Sequence, residues 1–514
     1  MKNLILVLAF FLGTSRFVMG AEAPPSVEID TLASPAAAGA KSPFLATGPG
    51  GAVWLIWLEP AAQGATLRCA AFDAAANRWG SAHTIAAGPQ LVVSAAETPL
   101  LTISATGRLI AAWPESVGEV HHVVFSSSAD AGVTWTAPEP LSRETTANEF
   151  AALTTLADGR VLAAWLDGRA TTKTTRATRL YARILDFKSG SAPANPASDV
   201  LIDSLVCDCC SLALTAFPDG TALLVYRGRT ADEIRDIHVS RFGPQGWSES
   251  RVLNHDLWRI AGCPVNGPRL ASDGGRVAAT WFTAADNQPR VLLSTSPDAG
   301  TRFLLPLTVD LGHPTGHSDT VLLHDGTALV TWLEAASPDP KAQPAGLWLR
   351  RASPEFSLDE PILLSSASAT QPAGFPRAVL VRDFFGDSLT AQLLIAYPGK
   401  EGVHTLLVSV PESELLASSA ANCHCAPPPA QLGGFPIRGT VAGPASKTQI
   451  TANHPEFPGL LAAGTDTFRA APAVLAALPP GREFLGRIER RAGEWWLFDV
   501  RLLVAPPPKN SAQP

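Results

Sequence analysis

The sequence predicts an all-β chain: a ring of four-stranded antiparallel sheets, seven by the repeat count or six if two units are loops, followed by a small OB-like β-barrel. Three observations predict it. A turn and a short apolar strand ending in an aromatic recur as GGAVWLIWLE, TGRLIAAWPE, DGRVLAAWLDGR, DGTALLVYRGR, GGRVAATWFTA, DGTALVTWLE and LTAQLLIAYPGK. Their closing aromatics, Trp57, Trp113, Trp165, Tyr226, Trp281, Trp332 and Tyr397, lie on average about 57 residues apart, the size of a four-stranded unit. The seventh unit lacks a convincing fourth strand, whereas SVEIDTL at Ser26 to Leu32 is an apolar strand without a unit. Using that strand to close the ring joins the two ends of the repeat array and leaves only short protected edges.

In chain order, residues 1–23 read as an export signal, with Lys2, an apolar run from Leu4 to Leu12 and small residues at Ala21 and Ala23. That run falls short of the roughly 20 apolar residues of a bilayer span. The mature chain is therefore expected outside the cytoplasm, in the periplasm or secreted, with no transmembrane segment. Residues 24–412 hold the ring. Apolar strands precede the aromatic strands (LLTIS, ALTTL, LALTAF, VLLHD) and follow them (ATLRCAAF, HHVVFSSS, RDIHVSRF, RVLLSTS, GLWLRRA), and most units add a fourth (HTIAAG, DVLIDSL, SRVLNH, LTVDLG, PILLSS). Residues 413–433 form a Ser/Ala/Pro-rich linker carrying Cys423, His424 and Cys425. Residues 434–504 return to strands, FPIRGTVAG, KTQITAN, EFLGRIERR and EWWLFDVRLLV, and residues 505–514 read as a disordered tail.

Charge narrows the partners. Lys plus Arg number 39 against 46 Asp plus Glu, a net charge of -7, which lacks the basic footprint of a nucleic-acid or anionic-membrane binder. Seven cysteines in an oxidising space leave at least one unpaired or sharing a metal.

SADAGVTW, Ser128 to Trp135, matches the SxDxGxTW turn, and SPDAGTRF, Ser296 to Phe303, is a looser copy, each directly after a predicted third strand. In these segments the chain resembles the Asp-box propellers typified by sialidases. The resemblance implies structural roles for Ser128, Asp130, Gly132, Trp135, Ser296, Asp298, Gly300 and Phe303, the aromatic packing between sheets. Sialidases also carry an early RIP motif, an arginine triad for the substrate carboxylate and a Tyr/Glu nucleophile pair. The corresponding segment here is KSPFLATGPGG, with Lys41 and no Arg, and the chain has three tyrosines in all.

Propeller topology puts the inter-unit connections and the second-to-third-strand connections on one face. Three successive inter-unit connections there read CDCC (Cys207 to Cys210), AGCPVNGP (with Cys263 and Asn266) and GHPTGHSD (with His317 and Asp319). Between them come YRGRTADEIRDI, carrying Arg227, Arg229, Arg235 and Asp236, and NHDLW with His255. Arginine pairs hold carboxylates or phosphates, and Asp319 or Glu334 is general-acid material, so this mouth is the candidate site. Cys207, Cys209, Cys210 and Cys263 read either as disulfides stapling neighbouring loops or as a thiolate site favouring copper or zinc. CDCC, YR, IRDI and GCPVNGP also look like segments of uncharacterised exported Asp-box proteins.

NHPEFPGLLAAGTDTF, Asn453 to Phe468, followed by LPPGREFLGRIE, resembles the CusF-type periplasmic copper-binding domain, whose segment runs HEEIPGFMPAMTMTF. His454, Glu456, Pro458, Gly459, Ala463, Thr465, Thr467 and Phe468 match, and Leu461, Gly464 and Asp466 stand where that pattern has Met. His454, with Cys423, His424 and Cys425, is the ligand set this module offers copper. The expected function is an exported propeller that binds a small anionic or carbohydrate ligand at its mouth and is linked through this module to copper handling. An exo-sialidase-like glycoside hydrolase is the alternative, and disulfide-stapled loops meeting a protein partner a third reading.

Overall fold

The computed structural model describes residues 27–94, 96–118, 120–172, 177–187, 198–335, 344–354, 357–366, 375–383, 390–411, 435–446, 448–454, 463–470, 474–475, 478–491 and 494–502. The export segment, the linker with Cys423, His424 and Cys425, Glu456, Pro458, Gly459 and Leu461 of the copper-like stretch, and the tail lie outside these residues.

Seven antiparallel sheets of four or five strands occupy residues 28–411. Their first strands are Lys41–Thr47, Leu100–Ile103, Asn148–Thr155, Ala213–Ala216, Arg269–Asp273, Pro314–Leu322 and Arg377–Arg382. Successive first strands touch in that order, and the seventh touches the first, so the sheets form a closed ring, a β-propeller. Glu28–Leu32 completes the seventh sheet, pairing antiparallel with Gly402–Pro411 from Glu28 opposite Ser409 to Leu32 opposite Thr405. The N-terminal strand thus supplies the fourth strand that the seventh unit lacks.

The repeat aromatics all fall on second strands, and all but Tyr397 are buried. Side chains two apart on a strand share a face. That geometry explains why the repeat reads Trp-x-acid: Trp57 Nε1 donates to Glu59 at 2.9 Å, Trp113 to Glu115 at 3.0 Å, Trp165 to Asp167 at 2.9 Å, and Trp332 to Glu334. Each indole is removed from water with its one donor satisfied, as a buried Trp requires. In the fifth sheet no acid follows two residues on, and Trp281 uses Asp256 instead, at 2.7 Å. Tyr226 donates to Asp203 at 2.8 Å.

The two SxDxG turns join third to fourth strands and are built alike. Ser128 Oγ donates to Asp130 at 2.8 Å and accepts Gly132 N–H at 2.9 Å, and Asp130 accepts Thr134 N–H at 2.9 Å. Ser296, Asp298, Gly300 and Arg302 repeat these bonds at 2.9, 2.9 and 2.8 Å. Trp135 packs into the core shared by the first and second sheets, and Phe303 into that of the fourth and fifth. Gly132 and Gly300 have φ of 82° and 77°, and a Cβ on Gly300 would lie 2.5 Å from Leu223 of the neighbouring sheet. Position 300 therefore needs glycine for space as well as for φ.

One connection differs from its sequence reading. GHPTGHSD is not a loop: Pro314–Leu322 is one strand, with irregular register between Pro314 and Gly316 and between Gly316 and Asp319. Gly316 and His317 take φ of 89° and 53°, so the strand bends without leaving the sheet.

Residues 435–502 form a closed five-stranded barrel of Phe435–Ser446, Gln449–His454, Gly464–Ala470, Glu494–Leu502 and Glu483–Arg491. Its core holds Ile437, Val441, Ile450, Phe468, Phe484 and Ile488.

Candidate functional site

First strands run along the centre of the ring, so their inward side chains converge on the axis. There they line a cavity of about 130 Å³ to which every sheet contributes: Phe44, Leu101, Leu153, Leu214, Arg269, Asp319 and Arg377, one from each in turn. The first four sheets line it with apolar side chains, whereas the last three place two guanidiniums and a carboxylate there. Arg377 is 4% exposed, with Nη1 on the Pro376 carbonyl at 3.0 Å and Nε without a hydrogen-bond partner among the described residues. Burial and the neighbouring Arg269 bring Arg377 down to about 9, so it keeps its charge at neutral pH. Burial likewise lowers Arg269, against the pull of Asp319. Asp319 is the carboxylate of the same cavity, its charge acting on both, and its oxygens accept the backbone N–H of Thr320 at 2.9 Å and Ala378 at 3.0 Å.

Aromatic rings frame this charge. Arg377 lies 5.7 Å over Phe44 and 5.8 Å over Phe375, and His317 stacks on Phe375 at 4.5 Å. Burial, then Arg377 and Arg269, push His317 down to about 4, so it is neutral at pH 7. On the side of the second and third sheets, Glu97 is 6% exposed and accepts Phe150 N–H at 2.6 Å. Burial and the neighbouring Glu149 raise it to about 8, so it is a carboxylic acid at neutral pH. Glu149 itself bonds His121 at 2.9 Å, and ligand atoms of Glu97, His121 and Glu149 all lie within 4.8 Å of one another. Ser42, Phe150 and His317 take φ of 54°, 51° and 53° near the starts of first strands in three sheets, strain gathered on this one face.

The arginines singled out from sequence do other work. Arg227 is 1% exposed and donates to the carbonyls of Arg235, Asn266 and Phe282 at 2.7 to 3.3 Å, under Trp258, so it ties loops together and does not clamp an anion. Arg229 forms an ion pair with Glu233. Arg235 meets Glu233 at 2.9 Å and Asp208 at 3.4 Å. Asp236 accepts Trp258 N–H at 3.0 Å, and burial, then Asp256, raise it to about 7. Asn266 joins the fifth and sixth sheets, donating to the Thr315 carbonyl at 3.2 Å and accepting His317 N–H at 2.7 Å. His255 is exposed beyond the fourth sheet. Glu334 accepts Trp332 together with the backbone of Leu311 and His313, which makes it structural.

Arg269, Arg377 and Glu97 are the residues that sequence reasoning missed. A signal existed for two of them: GPRLAS and FPRAVL both place Pro-Arg immediately before an apolar strand.

The cysteines divide. Cys209 and Cys263 form a disulfide between the connections leading into the fourth and fifth sheets. Cys207 and Cys210 are free and buried, with sulfurs 3.6 Å apart. The sulfur of Cys209 is already bonded, which takes it from the thiolate metal cluster that spacing alone allows. In the barrel, His454 Nε2 is 2.9 Å from Asp466, one of the residues standing where the copper-binding pattern has Met, so the imidazole meets a carboxylate there.

A larger open depression of about 530 Å³ lies on the other face, between turns of the third and fourth sheets. Its acids serve those turns, Asp158 bonding Arg160 and Asp219 bonding Thr221.

No protein-family profile and no curated protein matches the chain. Solved structures with some similarity include a protein of unknown function from Dyadobacter fermentans, at 15% identity over 75% of this chain and 100% of that one, with a TM-score of 0.40. An α-L-arabinanase of Penicillium chrysogenum is 13% identical over 76% and 99%, with a TM-score of 0.41. An α-L-arabinofuranosidase of Fusarium graminearum is 12% identical over 76% and 99%, with a TM-score of 0.39. Similarities this low carry no argument about the ligand, and the propeller rests on the closed ring itself.

Proposed function

We propose that the chain is an exported, seven-bladed propeller of the Asp-box kind that binds a small carboxylate-bearing ligand, an acidic sugar, in its axial cavity. One observation carries this reading: a buried guanidinium, Arg377, and a half-buried one, Arg269, share the cavity with a single carboxylate, Asp319, and Arg377 Nε has no partner among the described residues. A buried charge without a full set of partners is costly, and a ligand carboxylate supplies both the charge and the acceptors. Phe44, Phe375 and neutral His317 would bear on the apolar face of a sugar ring. Copper handling is not part of this proposal, because His454 is engaged by Asp466 and no methionine follows Met19.

Calorimetric titration with glucuronate, galacturonate and N-acetylneuraminate, against glucose as a neutral control, tests it. Binding of one acid, weakened tenfold or more in Arg377→Gln and in Arg269→Gln, is expected. No binding of any acid, or binding indifferent to both substitutions, overturns it.

The hydrolase reading of the same mouth has one observation in its favour, Glu97 held as a carboxylic acid close to a second carboxyl, Glu149, since glycoside hydrolysis uses a pair of carboxyls. Release of an aryl leaving group from aryl glycosides, lost in Glu97→Gln, would support it.

A further inference from the structure

The strongest unassigned chemistry is the sulfur cluster between the fourth and fifth sheets. We propose that Cys207 is a nucleophilic thiolate set against the Cys209–Cys263 disulfide, and that this disulfide migrates inward to Cys207–Cys210, making the cluster a thiol–disulfide exchange site.

The geometry is that of a nucleophile at its electrophile. Cys207 Sγ lies 3.8 Å from Cys209 Sγ and 3.6 Å from Cys210 Sγ, while Cys209 is bonded to Cys263. Arg235 Nη1 is 3.2 Å from Cys207 Sγ, and at 3% exposure its charge is little screened. Arg235 is itself fixed by Glu233 and Asp208, so the cation cannot swing away. The hydrogen bond shared with Cys210, then Arg235 and Arg227, bring Cys207 down to about 6 in spite of burial. Cys69 is the contrast inside the same chain: equally buried, but with no hydrogen-bond donor to its sulfur among the described residues, its thiol is pushed up by burial to about 12. A cysteine kept only for packing looks like Cys69.

The exchange balances without an oxidant. Cys207 thiolate attacks Cys209 Sγ; the Cys207–Cys209 bond forms as the Cys209–Cys263 bond breaks, its electron pair leaving on Cys263, which is exposed and takes a proton from water. Cys210, a thiol that burial holds protonated, then attacks Cys207 Sγ as its proton passes to the departing Cys209 sulfur; the Cys207–Cys210 bond forms and the Cys207–Cys209 bond breaks, leaving Cys209 as a thiol. One disulfide remains throughout. It ends across a Cys-x-x-Cys spacing, and Cys209 and Cys263 become a dithiol open to small external disulfides. The change also unties the connection carrying Asn266, whose carbonyl receives Arg227 and whose amide holds Thr315 and His317.

The test is disulfide mapping on the full chain, held at several pH values, acid-quenched, alkylated and digested for mass spectrometry. Peptides linked through Cys207–Cys210 are expected beside those linked through Cys209–Cys263, with Cys69 alkylated only after unfolding. The groups facing Cys207 are Cys210, Arg235 and Arg227, with Asp208 and Glu233 behind Arg235. In Arg235→Gln the exchange rate should fall tenfold or more near neutral pH and recover at high pH, where the thiol ionises unaided; a purely structural Arg235 would not give that recovery. Cys209–Cys263 as the sole linkage at every pH, an Arg235→Gln rate that stays low at high pH, or four sulfurs holding stoichiometric copper or zinc, each overturns the proposal.

Discussion

Glu97 allows a quantitative test of the mouth. Its carboxyl is moved from an ordinary 4.5 to about 8 by burial and by Glu149. The native chain therefore holds a proton that the unfolded chain has already released between these values, and stability falls as pH rises through that window. At about 1.4 kcal/mol per pH unit the loss is roughly 5 kcal/mol, complete above pH 8 and absent below pH 4.5. Glu97→Gln keeps an oxygen for the Phe150 N–H, so at acid pH it should match the wild type to within about 1 kcal/mol. Above pH 8 the variant should be the more stable protein by several kcal/mol. Urea unfolding followed by fluorescence, with 13 tryptophans as reporters, gives both curves, and their difference isolates Glu97 from Asp236, which titrates in an overlapping range. Parallel curves for the two proteins across this range would show that Glu97 is ionised and solvated, and would remove the neutral-acid description of this wall.

Three further outcomes are expected. Arg377→Gln should raise His317 from about 4 toward its ordinary 6.5, read from imidazole NMR titration, because Arg377 is the larger of the two charges holding it down; no change would place the guanidinium elsewhere. Gly300→Ala should lower stability by about 2 to 3 kcal/mol, from φ of 77° and a Cβ at 2.5 Å from Leu223, whereas Gly159→Ala, with φ of 86° and open space, should cost only about 1 kcal/mol by thermal unfolding. Glu334→Ala strips acceptors from Trp332 and two backbone amides and should cost about 3 kcal/mol or more, while Trp332→Phe leaves the carboxylate its amides and should show no orphaned-donor penalty beyond the lost indole packing.

Much of the architecture was written locally. The Gly-turn, the apolar run and the closing aromatic each report a neighbourhood of about ten residues, so the repeat and the unpaired strand at Ser26 to Leu32 could be read directly, and the acid two places after four of the tryptophans follows from strand geometry. The two SxDxG turns are equally local, since every bond that shapes them spans four residues or fewer.

The site was not local. Arg227 and Arg235 looked like anion contacts because they are charged and lie between strands, yet backbone carbonyls 39 and 55 residues away absorb the first, and a sulfur 28 residues away meets the second. Arg269, Asp319 and Arg377 sit 50 and 58 residues apart in sequence and share one cavity only because ring closure brings the first strands to a common axis. Sequence by itself determined the all-β repeat, its turns, the acidic balance and the inventory of sulfur. Tertiary structure decided which charges are spent on the chain's own backbone and which remain facing the axis, because desolvation and the choice of partner depend on neighbours that only the closed ring supplies.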